Sequence, residues 1–212
     1  MNPKQVLIVY YSFSSQTNRL VQQLAAGLEE SGVSVWLERL EPAVKIDLPF
    51  TSSWSMFKTM VSSYFRSRTP VLAPSYPENV DWDLIILGGP TWSFFPSGPV
   101  LYYLDAFAGD VVRGKNIIPL ISCRTYWRMH FNCLKEMIGE CGGQILDPIV
   151  FKHSGKEPWK TIGLCLKLLG RLPRGEESWF RKKHPRYGHA PEQYELAAQK
   201  GRELGEKLVS SS

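Results

Sequence analysis

The sequence predicts an α/β fold built around a doubly wound parallel sheet of five strands. Short apolar runs rich in β-branched residues alternate with longer segments of helical periodicity, an order typical of parallel sheets flanked by helices. The first unit is the clearest, since the apolar residues 6–10 lead into a polar loop and then into a helical pattern. We predict strands at 5–11, 33–39, 83–88, 115–122 and 144–150, and helices at 16–31, 53–66, 98–107, 129–140 and 191–209.

The length of 212 residues and an apolar content of 43% suit one domain covering residues 1–212. Two segments interrupt the alternation: an insertion at 41–80 between the second and third strands, and a basic insertion at 151–190 before the last helix. No stretch reaches the roughly 18 uninterrupted apolar residues of a membrane span, and the first residues do not read as a secretory signal. Four cysteines without CxxC spacing are typical of free thiols, so we expect a cytoplasmic protein.

The formal net charge of +5 is concentrated in the second insertion. Residues 151–188 contain ten Lys and Arg against three Asp and Glu, whereas the rest of the chain contains fifteen against seventeen. Within this segment, residues 157–174 have the pattern of a short amphipathic helix edged by cations. One interpretation is peripheral contact with the inner face of a membrane through residues 157–186. The other is a helix that covers the neighbouring loops or a partner subunit, with its lysines in solvent.

A polar loop follows the first strand and leads directly into a helix. Residues 12–18, called the first loop below, read Ser-Phe-Ser-Ser-Gln-Thr-Asn. The start of a helix presents free backbone N–H groups and the positive end of its dipole, so it suits a phosphate monoester. The loop has neither GxxxxGK[ST] nor GxGxxG, which argues against a nucleoside triphosphate and a dinucleotide. The alternative is an ordinary N-cap rich in hydroxyl residues.

Two further loops follow the third and fourth predicted strands and carry aromatic side chains. The second loop, residues 88–99, combines glycines and prolines with three aromatic residues, and the third loop, residues 122–128, carries two aromatics between cations. Rigidly displayed aromatics suit a flat conjugated ring, although aromatics more often pack in a core and loop charges are often merely solvated. Ligands of doubly wound sheets bind beyond the carboxyl ends of the strands. The three loops together therefore predict a site for a phosphate joined to a planar heterocycle.

These motifs resemble those of the flavodoxin family. Residues 11–17 resemble the family's phosphate loop and residues 88–92, Gly-Gly-Pro-Thr-Trp, resemble its second loop; the similarity covers about 1–150 and the last helix. The resemblance implies an FMN cofactor and the strand order 2-1-3-4-5. It implies a phosphate site made by Ser12, Ser14, Ser15, Gln16, Thr17 and Asn18. The flavin ring would be lined on one side by Pro90, Thr91, Trp92, Ser93, Phe94 and Phe95. Its pyrimidine edge or other face would meet Ser122, Cys123, Arg124, Thr125 and Tyr126.

The third loop departs from the flavodoxin pattern because Arg124 and Arg128 stand where electron-carrier flavodoxins usually have acidic residues and glycine. A positive charge near the N1–O2 edge of the flavin stabilises the anionic reduced ring and raises its reduction potential. We therefore favour an FMN-dependent oxidoreductase that passes electrons from a reductant, with NAD(P)H as one option, to a quinone or similar acceptor. The alternatives are a flavodoxin-type electron-transfer protein without substrate turnover and a flavin-free module that docks on a membrane or protein.

The second insertion is similar in place and character to that of the menaquinone-linked protoporphyrinogen oxidases. The first loop is not especially similar to theirs, so no substrate is inferred from this resemblance. The expected partners are a redox protein or a small-molecule electron acceptor, with a homodimer as a further option and no nucleic acid. The four histidines have no metal-ligand spacing, so no metal site is expected. No pattern identifies a catalytic acid, base or nucleophile. Cys123 would be either a packed thiol or a second redox centre.

Overall fold

The computed structural model describes residues 3–46, 49–77, 79–172 and 188–210. Within these residues, strands and helices alternate as the sequence predicts. The strands are β1 (Gln5–Tyr10), β2 (Ser34–Arg39), β3 (Leu84–Trp92), β4 (Phe95–Pro96), β5 (Asn116–Cys123), β6 (Gln144–Ile145) and β7 (Ile149–Lys152). The helices are α1 (Gln16–Glu30), α2 (Ser53–Tyr64), α3 (Gly98–Ala106), α4 (Ala108–Val112), α5 (Arg128–Glu140), α6 (Trp159–Leu168) and α7 (Pro191–Ser210).

A parallel sheet with helices on both faces forms the centre of the fold. The strands pair in the order β2-β1-β3-β5, and the short strands β6 and β7 both pair with β5. Counted as the five predicted strands, this is the order 2-1-3-4-5, which confirms the prediction. Successive residues of β1 serve opposite faces: Val6 and Ile8 join the core formed with α1 and α7, whereas Leu7 and Val9 join the core formed with α3 and α5.

Apart from shifts of one residue at their ends, three elements outside the two insertions differ from the prediction. Strand β3 continues past residue 88, since Pro90 still pairs with Ser122 of β5, and the chain then turns back so that Trp92 pairs with Phe95 of β4. The predicted strand at 144–150 is divided into β6 and β7, and Pro148 between them has no N–H to donate to a ladder. The predicted helix at 98–107 is followed directly by the short helix α4.

Each of the two insertions contributes one described helix. Helix α2 lies in the first insertion, and α6 in the second covers Trp159–Leu168 instead of the predicted 157–174. The backbone N–H of Phe50 donates to the carbonyl O of Leu168 at 2.7 Å, so the two insertions contact each other. Residues 173–187, with the basic run 181–183, lie outside the described residues. None of the helices in the described part of the chain has the length and apolar character that a membrane span requires.

Helix α1, which begins at the first loop, is fixed in place by close packing against α7. A Cβ atom at Gly27 would lie 2.0 Å from the carbonyl O of Ala198, and one at Gly201 would lie 2.2 Å from the carbonyl O of Leu24. Any larger side chain at either glycine would force the two helices apart, because packed helices cannot absorb such overlaps. The glycines therefore hold α1, and with it the first loop, in a defined direction relative to the sheet.

Candidate functional site

A cavity of about 650 Å³ opens where the three loops meet, beyond the C-terminal ends of β1, β3 and β5. Thirteen of the seventeen predicted site residues line it: Ser14, Gln16, Thr17, Pro90, Thr91, Trp92, Ser93, Phe94, Ser122, Cys123, Arg124, Thr125 and Tyr126. The other four lie outside the lining: Ser12, Ser15, Asn18 and Phe95. Phe95 is buried beneath the guanidinium group of Arg66, whose Cζ lies 4.7 Å from the ring centroid. The topology thus brings all three loops to one space.

Two of the residues outside the lining shape the first loop. The Oγ of Ser12 accepts a hydrogen bond from the backbone N–H of Asn18 at 3.1 Å, and the hydroxyl of Tyr10 donates to Oδ1 of Asn18 at 2.7 Å. Ser15 has a left-handed backbone with φ of 62° immediately before α1 begins, a conformation that non-glycine residues seldom adopt. Ser12 and Asn18 therefore brace the turn, while Ser14, Gln16 and Thr17 face the cavity.

The part of the cavity next to α1 is positively charged. Lys167 reaches the lining from α6, and its pKa is lowered by burial and by the positive charge of Arg19 in the first turn of α1. Gln16, the first residue of α1, is buried, and its Oε1 has no hydrogen-bond partner among the described residues. A helix N-terminus, two cations and an unpaired amide oxygen suit an anion that also carries hydroxyl groups.

The second loop is held by one buried histidine and one contact to α2. Oγ1 of Thr91 lies 2.8 Å from Nδ1 of His130 on α5, and burial lowers the pKa of His130 to about 3. The ring is therefore neutral at physiological pH, and the Thr91 hydroxyl donates to Nδ1 when that nitrogen is unprotonated. Ser93 and Phe94 turn the chain with φ of 43° and 78°. The hydroxyl of Ser93 donates to the carbonyl O of Met60 at 2.9 Å.

The aromatic side chains of the cavity fall into a packed group and an exposed pair. Trp92 packs edge-on against Tyr11 and Phe13, with ring centroids 5.7 and 5.5 Å apart. Phe94 of the second loop and Tyr126 of the third loop contact each other at 5.6 Å with planes inclined by 48°, and they are 39% and 61% exposed. Trp92 is therefore a fixed wall, whereas Phe94 and Tyr126 present their rings to the cavity and to solvent.

The third loop is tied to the start of the second insertion. The Nε of Arg124 lies 3.1 Å from Oε1 of Glu157, and Nζ of Lys160 donates to the carbonyl O of Arg124 at 3.3 Å. The hydroxyl of Thr161 donates to Oε2 of Glu157 at 2.6 Å. The positive charge that the sequence places in this loop is thus partly compensated by a carboxylate 33 residues further along the chain, which the sequence analysis did not anticipate.

Polar side chains at the end of β5 are buried and largely uncharged. The Oγ of Ser122 lies 2.7 Å from Nε2 of His189, whose ring centroid is 4.7 Å from that of His153. Burial lowers the pKa of His189 to about 4 and that of His153 to about 3. Burial also raises the pKa of Cys123 to about 11, so its sulfur is a protonated thiol at neutral pH. These groups offer hydrogen bonds without adding charge.

Sequence reasoning missed the outer walls of the cavity. Helices α2 and α6 contribute most of them, together with Phe13 within the first loop and Phe50 ahead of α2; the remaining residues are Met56, Phe57, Met60, Val61, Tyr64, Phe65, Leu164 and Leu168. The periodicity of 53–66 predicts a helix, but it does not say which face turns towards the protein. His153, which also lines the cavity, gave no sequence signal because no spacing links it to the loops.

The architecture matches that of solved flavodoxins and flavoproteins. A flavodoxin from the domain Archaea aligns over 97% of this chain and 99% of its own, with 12% identity and a TM-score of 0.52. A flavoprotein from Lactobacillus acidophilus, crystallised in complex with FMN, aligns over 69% of this chain and 93% of its own, with 17% identity and a TM-score of 0.55. The chain has a flavodoxin-like fold.

Rubredoxin oxygen:oxidoreductase from Desulfovibrio gigas aligns over 99% of this flavodoxin-like chain but over 37% of its own length, with 15% identity and a TM-score of 0.52. The fold is therefore also found as one part of a larger protein. No protein-family model matches the sequence, and no curated protein matches it either. At these identities the comparisons establish the fold and not the function.

Proposed function

We propose that the chain binds FMN in the cavity between the three loops and acts as an oxidoreductase, passing electrons from a reductant such as NAD(P)H to a quinone or similar acceptor. One observation carries the proposal: a single cavity joins a cationic helix N-terminus to a set of displayed aromatic rings. This is the combination that a phosphate linked to a flat heterocycle requires. FMN is also the ligand of the Lactobacillus flavoprotein that shares the fold.

The dimensions and polar groups of the cavity fit FMN. Its volume of about 650 Å³ falls within the range of roughly 300–1,000 Å³ that is usual for cofactor sites. The phosphate would lie at the N-terminus of α1, where Lys167 and Arg19 supply positive charge. The unpaired Oε1 of Gln16 is an acceptor for a ribityl hydroxyl, so binding would satisfy a buried polar atom that is otherwise left without a partner.

The remaining residues of the site would orient the ring and set its electrostatic surroundings. FMN, when bound, supplies the chemistry of accepting and releasing electrons. Trp92 would lie against one side of the flavin ring, and the hydrogen bond to the neutral His130 would hold the Thr91 side chain in place. The Arg124–Glu157 pair lies partly in solvent, so its net effect on the reduction potential is weaker than that of an unpaired arginine. No side chain is assigned as a catalytic acid or base.

The outer walls favour an apolar, aromatic electron acceptor. Phe94 and Tyr126 are partly exposed at the cavity, and α2 and α6 add further apolar side chains around its opening. A quinone has a flat conjugated ring that can pack against such side chains. This wall supports a substrate-converting flavoprotein over a carrier that exchanges electrons only with another protein.

The test is the visible spectrum of the purified protein, followed by steady-state kinetics under anaerobic conditions with NADH or NADPH and a series of quinones. We expect a flavin spectrum, release of FMN on denaturation, and turnover with at least one donor and quinone pair. A protein that contains FMN but turns over no pair is an electron carrier. A colourless protein that does not take up added FMN contradicts the proposal altogether.

A matched pair of variants tests whether the aromatic wall contacts the acceptor. Phe94 in the second loop and Trp36 on β2 are both 39% exposed, but only Phe94 lines the cavity. We expect Phe94→Leu to raise the KM for the quinone and Trp36→Leu to leave it unchanged. Equal effects of the two substitutions would mean that the wall plays no part in acceptor binding.

A further inference from the structure

Helix α2 presents its apolar side chains to solvent. Trp54, Phe57, Val61 and Tyr64 are all exposed, and so is Phe65 at the end of the helix; Trp54 and Phe65 are 72% and 73% exposed. At 3.6 residues per turn these five positions fall within about 120° of one another, which is the width of a core-facing stripe. Here the stripe, which we call the outer stripe, faces away from the core. Exposed apolar patches of this kind typically bind a partner or a membrane.

The opposite face of α2 is made of hydroxyl residues. The hydroxyl of Thr59 donates to the carbonyl O of Ser55 at 3.0 Å, and the hydroxyls of Ser62 and Ser63 donate to the carbonyl O of Thr59 at 3.0 and 2.7 Å. Ser63 is the one buried residue of the helix. Because these hydroxyls are satisfied within the helix itself, the polar face can lie against the protein. The amphipathic pattern of α2 is therefore inverted, and the outer stripe, part of which borders the cavity, is available to an external apolar phase.

The surroundings of the outer stripe are cationic. Residues 49–77, which contain α2, have three Lys and Arg and no Asp or Glu, and residues 156–172, which contain α6, have four against one. Arg66 and Arg68 form ion pairs with Glu136 and Asp105. Even when these two carboxylates are included, cations outnumber acids by seven to three. The rest of the chain, without these ten residues, has eighteen Lys and Arg against seventeen Asp and Glu.

We propose that the outer stripe docks α2 in the interface of an anionic lipid bilayer. A helix of twelve residues, about 18 Å long, can lie in the plane of the membrane with its apolar face among the upper acyl chains and its cations among the headgroups. Trp54 and Tyr64 carry amphipathic rings of the kind enriched at this depth. A second copy of the chain fits less well, since a two-fold contact would bring two cationic faces together.

The docked orientation would turn the opening of the cavity towards the bilayer. Phe57, Val61, Tyr64 and Phe65 of the outer stripe also line the cavity, so an apolar molecule leaving the bilayer would meet the site beside them. This part of the inference rests on the proposed function and specifies the acceptor as a lipophilic quinone. The docking itself depends only on α2 and its charges and does not require a flavin.

The experiment measures sedimentation of the full-length chain with vesicles of equimolar phosphatidylglycerol and phosphatidylcholine, and with vesicles of phosphatidylcholine alone. The test variant is Trp54→Ser with Lys58→Glu, two residues of α2 that do not line the cavity. The matched control is Leu196→Ser with Lys200→Glu on α7, which has the same spacing and an exposed apolar residue. FMN binding and thermal unfolding of each variant are measured separately to show that each is folded.

We expect the wild type to bind the anionic vesicles more tightly than the neutral ones, and high salt to weaken this binding. The test variant should lose at least about tenfold in partition coefficient, since it removes a large apolar side chain and reverses a charge. The control should bind like the wild type. Binding that is absent in the wild type, or equal in both variants, contradicts the docking, as does a dimer that only the test variant dissociates. Vesicle binding by a protein that takes up no FMN would leave the docking intact and contradict the proposed function.

Discussion

Replacing His130 tests how the second loop is held in place. His130 is almost completely buried on α5, with its Nδ1 2.8 Å from Oγ1 of Thr91, and burial lowers its pKa from 6.5 to about 3. The folded protein therefore keeps the ring neutral, whereas the unfolded chain protonates it as the pH falls below 6.5. Between these two pKa values the unfolded state binds more protons, so the free energy of unfolding decreases as the pH falls through that range.

The size of this effect follows from the two pKa values. Each pH unit between them removes about 1.4 kcal/mol, so His130 alone should lower the free energy of unfolding by about 2.5 kcal/mol between pH 7 and about pH 4.5. That is a substantial part of the roughly 5–15 kcal/mol that stabilises a typical domain. His153 and His189, whose pKa values burial lowers to about 3 and about 4, act in the same direction. The total loss in the wild type should therefore be larger.

The assay is urea unfolding of the wild type and of His130→Asn at pH 7 and at about pH 4.5. Asn can hydrogen-bond to Thr91 but cannot titrate, so the loss of stability on acidification should be about 2.5 kcal/mol smaller in the variant than in the wild type. The control is Thr91→Val, which removes the hydrogen bond but keeps the histidine and should retain the wild-type loss. Equal losses in the wild type and His130→Asn would refute a neutral, buried His130 in the folded state.

Three further substitutions, the last with a matched control, test the two ends of the site. Lys167→Gln should raise the Kd for FMN about tenfold, equivalent to about 1.4 kcal/mol, but leave the Kd for riboflavin, which has no phosphate, unchanged; titration with both ligands checks this. Glu157→Gln removes the carboxylate that pairs with Arg124 and should raise the reduction potential of the bound flavin. The rise should be only about 10–20 mV, because the pair is partly in solvent. Redox titration measures it, and an unchanged or lower potential would contradict a position of Arg124 beside the flavin. Gly188→Ala and Gly32→Ala both place alanine at positive φ, but only at Gly188 would the Cβ meet another side chain, that of Gln16 at 2.5 Å. We expect both to lower the thermal midpoint and only Gly188→Ala to weaken FMN binding in calorimetry.

The parts of the fold and site that could be predicted are those set by neighbouring residues. The first strand, the first loop and α1 follow one another directly, so the pattern of apolar and hydroxyl residues is sufficient to place a helix N-terminus at the end of a strand. The glycine and proline run after residue 87 similarly predicts a rigid backbone that displays aromatics, although β3 continues through this run and the turn lies at Ser93 and Phe94. Parallel sheets place the ends of such strands at one edge, which is why thirteen of seventeen predicted residues share one cavity.

The parts that could not be predicted depend on contacts between distant segments. The carboxylate of Glu157 compensates Arg124, and Lys167 approaches Arg19, across 33 and 148 residues of sequence. No local pattern reports such pairs. The orientation of α2 is a different case. Periodicity locates an apolar stripe on the helix, but the sequence pattern is the same whether that stripe faces the core or the solvent. Burial of Phe95 beneath Arg66 likewise depends on the hairpin between β3 and β4 and not on the aromatic run itself.

Calorimetric titration of FMN into the folded apoprotein is the decisive experiment for a flavin site between the three loops. We expect saturable binding of one FMN per chain, with riboflavin binding more weakly because the cationic N-terminus of α1 then has no phosphate to hold. Absence of saturable heat with FMN, in a protein shown to be folded by its thermal transition, would contradict the assignment of the cavity as a flavin site.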